Sequence, residues 1–270
     1  TSFESSISLK IFILIQAHFL RFSLSPELQS DMKIILSVVL KLLNCMIDLL
    51  SSDGNLIVLR LMTLSQLISQ AVWEKDESIS LKQIPFINEK ILKRCDEMKI
   101  RNVNEFIEID DDNEKLKLLG KDIADDEFKL NKVINFLNNY PIINNVTYRI
   151  NDEKNLNTSD DIAISVTIQK DEGVEDDEEL IINSEFYPFE KFENWWIVIG
   201  DINTRTLYAI RKVVLKKEEQ TFKLSFNVNE AGKHDLNIWL VCDSYYETEE
   251  VSFSISVAQA EDNSEEEEEE

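Results

Sequence analysis

Glycine and proline are scarce: the 270-residue chain has 5 Gly and 4 Pro. Turns therefore fall mostly to Asn and Asp, which tolerate left-handed backbone and close local hydrogen bonds; Asn151-Asp152, Asn157 to Asp161 and Asn203 fit that role. Cysteine is scarcer still. Cys45, Cys95 and Cys242 lie far apart with no Cys-x-x-Cys pair. Each falls in an apolar-patterned segment, so each is expected to be a small buried hydrophobe in a chain kept in a reducing compartment. Histidine is limited to His18 and His234, too remote from each other and from the cysteines to draw a zinc cluster from spacing.

Several catalytic patterns are missing too. A P-loop wraps phosphates with Gly-x-x-x-x-Gly-Lys-Ser/Thr. Gly120-Lys121-Asp122 and Gly232-Lys233-His234 lack both the hydroxyl and the upstream glycine, and read as turns. Cys242-Asp243-Ser244 with His234 is the one tempting nucleophile group. Eight residues on one predicted strand separate His234 from Cys242 by ~26 Å, which excludes a hydrogen bond. Carboxylate runs such as Glu175 to Glu179 read as solvated loop rather than acid–base pairs. The apolar run Ile7 to Phe22 is broken by Lys10, Gln16, His18 and Arg21, short of the ~20 residues a membrane span needs, so it reads as a core helix. No catalytic residue, metal site or cofactor is predicted, and no membrane. Taken by themselves, the residues point to a non-catalytic scaffold.

Positive charge is the remaining deficit. The net charge of −24 divides into −2 over residues 1–80, −2 over 81–144, −12 over 145–260 and −8 over 261–270. The second half therefore repels polyanions and suits a basic protein partner better than a phosphate backbone.

What is present is a change of period. Residues 1–80 repeat apolar positions at helical spacing. The first helix runs from Ile7 to Phe22 and stops at the Ser23 to Pro26 break. The second, from about Asp31 to Ser51, is apolar at Ile34, Ile35, Val38, Leu42, Met46 and Leu49, widened almost all round by Leu36, Val39, Leu43, Ile47 and Leu50. Such a helix is expected to be buried on most sides. The third carries a stripe from Leu56 to Trp73, and short connections imply an antiparallel bundle. Residues 81–144 read as a smaller helix-loop-helix domain, with short helices near Glu89 to Met98, Asn104 to Ile109, Asn113 to Leu119 and Ala124 to Asn139. From 145 to 260 the period becomes two, with about eight candidate strands: Val146 to Ile150, Ile162 to Lys170, Leu180 to Asn183, Trp195 to Gly200, Leu207 to Leu215, Thr221 to Val228, His234 to Cys242 and Val251 to Val257. Strands so spaced, without helices between them, predict an antiparallel sandwich. Residues 261–270 contain eight acids and no large apolar group, and are expected to be a disordered tail.

Two sets of residues are candidates for contact with partners. Trp195 and Trp196 must point to opposite faces of one strand. One should anchor the sandwich core, and the other is either covered by the helices or left as an exposed aromatic anchor. Tyr245 and Tyr246 form a second aromatic pair in the same half and complete the candidate interface. Separately, Ile91 to Phe106 reads as helix, tight turn, helix, resembling a helix-hairpin-helix with Lys99 where such a hairpin has glycine. Lys93, Arg94, Lys99 and Arg101 could touch an RNA backbone there, although Asp110 to Asp112 follow closely; the plainer reading is helix packing with a solvated basic face.

Three segments together resemble one family: Leu14-Ile15-Gln16-Ala17-His18-Phe19-Leu20-Arg21 with Ser25 to Asp31, then Trp73-Glu74-Lys75-Asp76, then Trp195-Trp196-Ile197-Val198-Ile199-Gly200-Asp201. They are similar to the Sec-sixty-three homology unit that follows the helicase core in Ski-two-like RNA helicases, and more narrowly to the C-terminal such unit of the spliceosomal branch. The resemblance covers essentially the whole folded chain. It implies an α+β multidomain fold: a helical bundle, a helix-loop-helix domain and an immunoglobulin-like or fibronectin-like sandwich. It also implies a docking platform in the nucleus for splicing-factor proteins, held on the helicase core of the same polypeptide. The abrupt start at Thr1 suggests a fragment whose upstream helices and motor are missing. Two further readings stand beside this one: an RNA-contacting accessory lining a helicase strand path, and the translocon-associated relative of the same unit. Lys99 and the acidic tail depart from the family pattern, so neither inherits a role.

Overall fold

The computed structural model describes residues 5–73, 78–151, 156–171 and 180–260. The acidic tail, the Glu175 to Glu179 run, Thr1 and Glu74-Lys75-Asp76 lie outside the described residues.

Three longer helices come first: α1 (Ser6–Phe19), α2 (Pro26–Ser52) and α3 (Val58–Gln70). Five short ones follow: α4 (Glu89–Glu97), α5 (Val103–Ile107), α6 (Asp112–Leu119), α7 (Lys121–Ala124) and α8 (Glu127–Asn138). A 3-10 turn at Leu81–Gln83 joins the two groups. The short helices start where side-chain oxygens can receive unpaired backbone N–H groups, as Asn88, Asn102, Asp111 and Asp126 do. Pro26 stands in the first turn of α2, where a missing N–H costs nothing. The helix therefore begins five residues before the Asp31 start that its apolar spacing predicts, and Pro26 opens it rather than closing the preceding break.

Two antiparallel sheets follow. One has the order β1 (Ile143–Ile150), β2 (Ile162–Lys170), β5 (Glu219–Phe226). The other has the order β4 (Thr206–Val213), β3 (Trp195–Asp201), β6 (Gly232–Cys242), β7 (Thr248–Val257). The inner faces of both share one apolar core that continues into α4, α5 and α8 through Ile91, Phe106 and Phe136. Leu180 to Asn183, expected as a strand, makes only an isolated bridge, Ile181 with Phe192.

β3 is the strand around which the molecule is built. Every one of its residues is buried. Trp195, Ile197 and Ile199 point into the core between the sheets, whereas Trp196 and Val198 point the other way, onto Ile47 of α2 and Val58 and Met62 of α3. An outer sheet face that would otherwise meet water is thus roofed by helices. Gly200 marks the tightest approach: a Cβ there would lie 2.6 Å from the Thr206 carbonyl and 2.7 Å from Leu56 Cδ1. Close by, the α2–α3 connection pairs with β4 through its backbone, Leu56 N to Arg205 O at 3.1 Å and Leu207 N to Gly54 O at 2.8 Å.

The helices themselves depart from expectation. α1 buries only Leu14, His18 and Phe19, so it is not a core helix along its whole length. α2 buries a single row, Met32, Leu36, Leu40, Leu43 and Ile47. Its other apolar row is open: Ile34, Leu42 and Leu49 are 63%, 57% and 66% exposed, with Val38 and Met46 between them. Cys45 shares that open side and is exposed, whereas Cys95 and Cys242 are buried. By length and composition α2 could also cross a membrane. The expected helix from Ala124 to Asn139 is α8, which starts at Glu127 because Asp126 caps it, and the Gly120-Lys121-Asp122 segment expected as a turn opens the short α7.

Candidate functional site

The four aromatic candidates surround one turn. Trp195 and Trp196 are 0% and 3% exposed, and Tyr245 is also buried. None of the three is available as an exposed anchor: the alternating pleat gives each Trp its own core. Trp195 Nε1 donates to Glu193 Oε1 at 2.7 Å, and burial pushes that carboxyl up. Trp196 lies under α2 and α3, with the Lys212 ammonium 5.1 Å from the ring centroid. Tyr245 accepts the Asn183 N–H at 2.8 Å and packs edge-on to Phe136 and Tyr140. Tyr246 is partly buried, and its backbone N–H donates to Gln83 Oε1 at 2.7 Å.

The turn from Asp243 to Glu247 is bound chiefly by α3. Ser65 Oγ donates to the Asp243 carbonyl at 3.0 Å, Gln66 Nε2 to those of Cys242 and Glu247 at 2.8 and 3.0 Å, and Gln70 Nε2 to that of Ser244 at 3.1 Å. Three polar side chains thereby supply donors to the carbonyls of the turn, of which that of Glu247 also accepts the Cys242 N–H at 3.1 Å. Lys191 Nζ lies 2.6 Å from Asp243 Oδ1 and also bonds Ser244 Oγ, so the buried Asp243 carboxylate has a cation beside it. Ser65, Gln66 and Gln70 are junction residues that sequence reasoning does not single out. Their signal is present as polar residues where an apolar stripe should continue, at helical spacing from Met62.

A second clamp explains the Gln16 to Arg21 segment. His18 Nε2 bonds the Ile68 carbonyl at 2.8 Å. Arg21 donates to the carbonyls of Ala71, Gln70 and Lys82 at 3.0, 3.2 and 2.6 Å, with Phe186 stacked at 4.4 Å. The α3 C-terminus is thus capped by two side chains from the end of α1. Burial lowers both pKa values, Arg21 to about 10 and His18 below its ordinary value.

The basic candidates are divided. Arg94 is engaged internally, its guanidinium donating to the Lys117 and Leu119 carbonyls at the end of α6 at 3.1 and 3.5 Å. Lys93, Lys99 and Arg101 are exposed. Lys99 has φ of 61°, the left-handed geometry a hairpin glycine would take. At the α5 N-terminus, where a phosphate would sit, the chain already places a carboxylate: Glu105 Oε2 accepts the Arg101 N–H at 2.6 Å. The structure therefore buries Trp195, Trp196 and Tyr245 within the chain's own cores, and leaves Lys93, Lys99 and Arg101 exposed while Arg94 is engaged.

Comparisons with known proteins agree along nearly the whole length. Residues 3–254 match the family model described as the Sec63 Brl domain. The chain is 34% identical over 261 residues to the U5 small nuclear ribonucleoprotein 200 kDa helicase of Drosophila melanogaster, covering 96% of this chain and 12% of that protein. It is 32% identical over 256 residues to the Homo sapiens protein of that name, covering 93% and 11%. With the pre-mRNA-splicing factor brr2 of Schizosaccharomyces pombe it shares 35% over 239 residues, covering 87% and 10%. The chain thus spans about a tenth of the length of these relatives. Among solved structures, a CARDB domain from Pyrococcus furiosus matches 45% of this chain and 97% of its own at 16% identity and a TM-score of 0.31, too slight a likeness to carry an argument. The chain belongs to the Sec63 Brl domain family.

Proposed function

We propose that this chain is the non-catalytic accessory unit of a nuclear spliceosomal RNA helicase, a protein-interaction platform for splicing factors. In this reading residues 1–80 are the C-terminal part of a helical bundle, 81–144 a helix-loop-helix domain and 145–260 an immunoglobulin-like sandwich. Residues 261–270 form an acidic tail, and the helicase core of the same polypeptide is a further partner. The observation that carries the reading is the open apolar row of α2, with Ile34, Val38, Leu42, Met46 and Leu49 all exposed. Ile7, Leu9, Ile11, Phe12 and Ile13 of α1 are exposed as well. Ten such side chains exceed the scattered apolar exposure normal for a soluble surface and mark a contact face. The buried polar groups at the α3 junction are engaged in holding the chain's own parts together, which supports a structural role for them over a chemical one.

Cross-linking mass spectrometry of splicing complexes, with the natural residues and with Leu42→Glu plus Met46→Glu, tests the platform. Specific cross-links from α2 to a splicing factor or to the helicase core, lost in the double variant, are expected; an unchanged pattern refutes the reading. The RNA-accessory alternative keeps one supporting observation, the exposure of Lys93, Lys99 and Arg101. It predicts salt-dependent binding to single-stranded RNA that is lost on charge reversal at Lys93 and Lys99.

A further inference from the structure

The β6–β7 turn touches each helical group, and one of its side chains is a carboxyl. Alongside the α3 contacts, Tyr140, two residues beyond α8, donates its hydroxyl to Glu247 Oε2 at 2.6 Å. Tyr140 is buried, with its ring 5.2 Å from that of Tyr245. Glu247 thus joins the end of the five-helix group to the sheet, while its backbone carbonyl receives Gln66 of α3.

The groups around this carboxyl offer it little positive charge. It shares a groove of about 400 Å³ with Thr63 and Gln66 of α3, Ser80 before the 3-10 turn, Asn102 and Asn104 at the start of α5, and Tyr246, Thr248 and Glu249. Of these, Glu249 ionises in the accessible pH range, and it is negative; Tyr140 is the acidic hydroxyl facing from the α8 side. Burial opposes ionisation most, the Tyr140 hydrogen bond favours it, and Glu249 opposes it, holding the Glu247 carboxyl up at about 7. Burial raises Glu249 too, and keeps the Tyr140 hydroxyl well above its ordinary range and neutral.

We propose that Glu247 is a proton-operated latch, holding the end of α8 on the β6–β7 turn when protonated and loosening it when ionised. The neutral carboxyl still accepts from Tyr140 through its carbonyl oxygen and places no charge in the groove. The carboxylate keeps that bond but adds a partly desolvated charge beside Glu249, and opening the groove to water relieves both penalties. Because the folded pKa lies above the ordinary 4.5, the stabilisation is full below 4.5 and is lost as pH rises through about 7. Near neutrality the latch stands between its two forms.

Hydrogen exchange followed by mass spectrometry on the full chain at pH 6.0 and 8.5, corrected for intrinsic exchange rates, reads the latch directly. Protection over Val133 to Tyr140 and Cys242 to Glu247 is expected to fall several-fold at the higher pH, with β2 unchanged. In Glu247→Gln, which keeps an acceptor for Tyr140 and carries no charge, it should stay flat. Equal pH dependence in both proteins, or none in the natural one, overturns the proposal. If the variant fails to fold, NMR titration of the Glu247 carboxyl carbon replaces it: a midpoint near 7, rising further in Tyr140→Phe, supports the latch, and a midpoint near 4.5 refutes it.

Discussion

α3 and the outer row of α2 lie on opposite sides of one three-helix group. α3 faces the sheet and is sealed: Val58 and Met62 pack on Trp196, and Ser65, Gln66 and Gln70 meet turn carbonyls. The outer row of α2 is no less apolar, yet it meets solvent. The difference is one of matching. A face that holds a unique geometry mixes apolar contact with hydrogen bonds that work in one register, whereas the bare row carries oily side chains with little to fix an angle. The first kind builds a rigid body; the second is the face that the proposed platform would offer to a neighbour.

Breaking the sealed side should be costly. Trp196→Ala removes one of the two tryptophans beneath the helices and is expected to lower stability by about 3–5 kcal/mol in urea denaturation. Leu42→Ser on the bare row should change it by less than about 0.5 kcal/mol. Comparable losses at the two sites would erase the distinction. Gly200→Ala should cost about 1–3 kcal/mol, because the added methyl meets the Thr206 carbonyl and Leu56 within 2.7 Å; thermal unfolding measures it. Gln66→Ala removes the side-chain donor from the Cys242 carbonyl and leaves that of Glu247 with the Cys242 N–H alone, and should cost about 1–3 kcal/mol, whereas Gln→Ala changes on exposed helix surface should be near neutral.

Two smaller tests sharpen the contrast. The depressed pKa of buried His18 means that its contribution is present above the ordinary 6.5 and is lost as pH falls through the lower folded value. This is opposite in sign to Glu247. Unfolding measured between pH 7.5 and 5 should show a decline that His18→Gln flattens. Lys99→Gly relieves a left-handed lysine and should stabilise by about 1 kcal/mol at most. If that variant also leaves RNA affinity unchanged, the left-handed turn has no need of the lysine charge.

The fold is legible in the sequence to differing depths. β2 runs from Ile162 to Lys170 as the alternation predicts. The opposed tryptophans follow from the pleat, and α4 starts after the Asn88 that caps it. Leu180 to Asn183 has the residues of a strand and is not one, because four apolar-rich residues cannot say whether a neighbouring strand will pair with them. The α2 stripe legible in the sequence, Ile34, Val38, Leu42, Met46, is the row that faces out. Both rows repeat at helical spacing, and periodicity does not distinguish a covered row from a bare one. The junction residues are hidden for a related reason: Gln66 and Gln70 gain their meaning from carbonyls more than 170 positions away.

By itself the sequence determined where helical spacing gives way to strand alternation and that two tryptophans must serve two different faces. Those properties follow from local geometry, from side-chain direction and from residue chemistry, all of which operate within a few positions. Tertiary structure decided which apolar row is roofed, which arginine is engaged and where a carboxyl is held near neutrality. Burial and desolvation belong to the atoms brought close by the fold, and no stretch of sequence contains them.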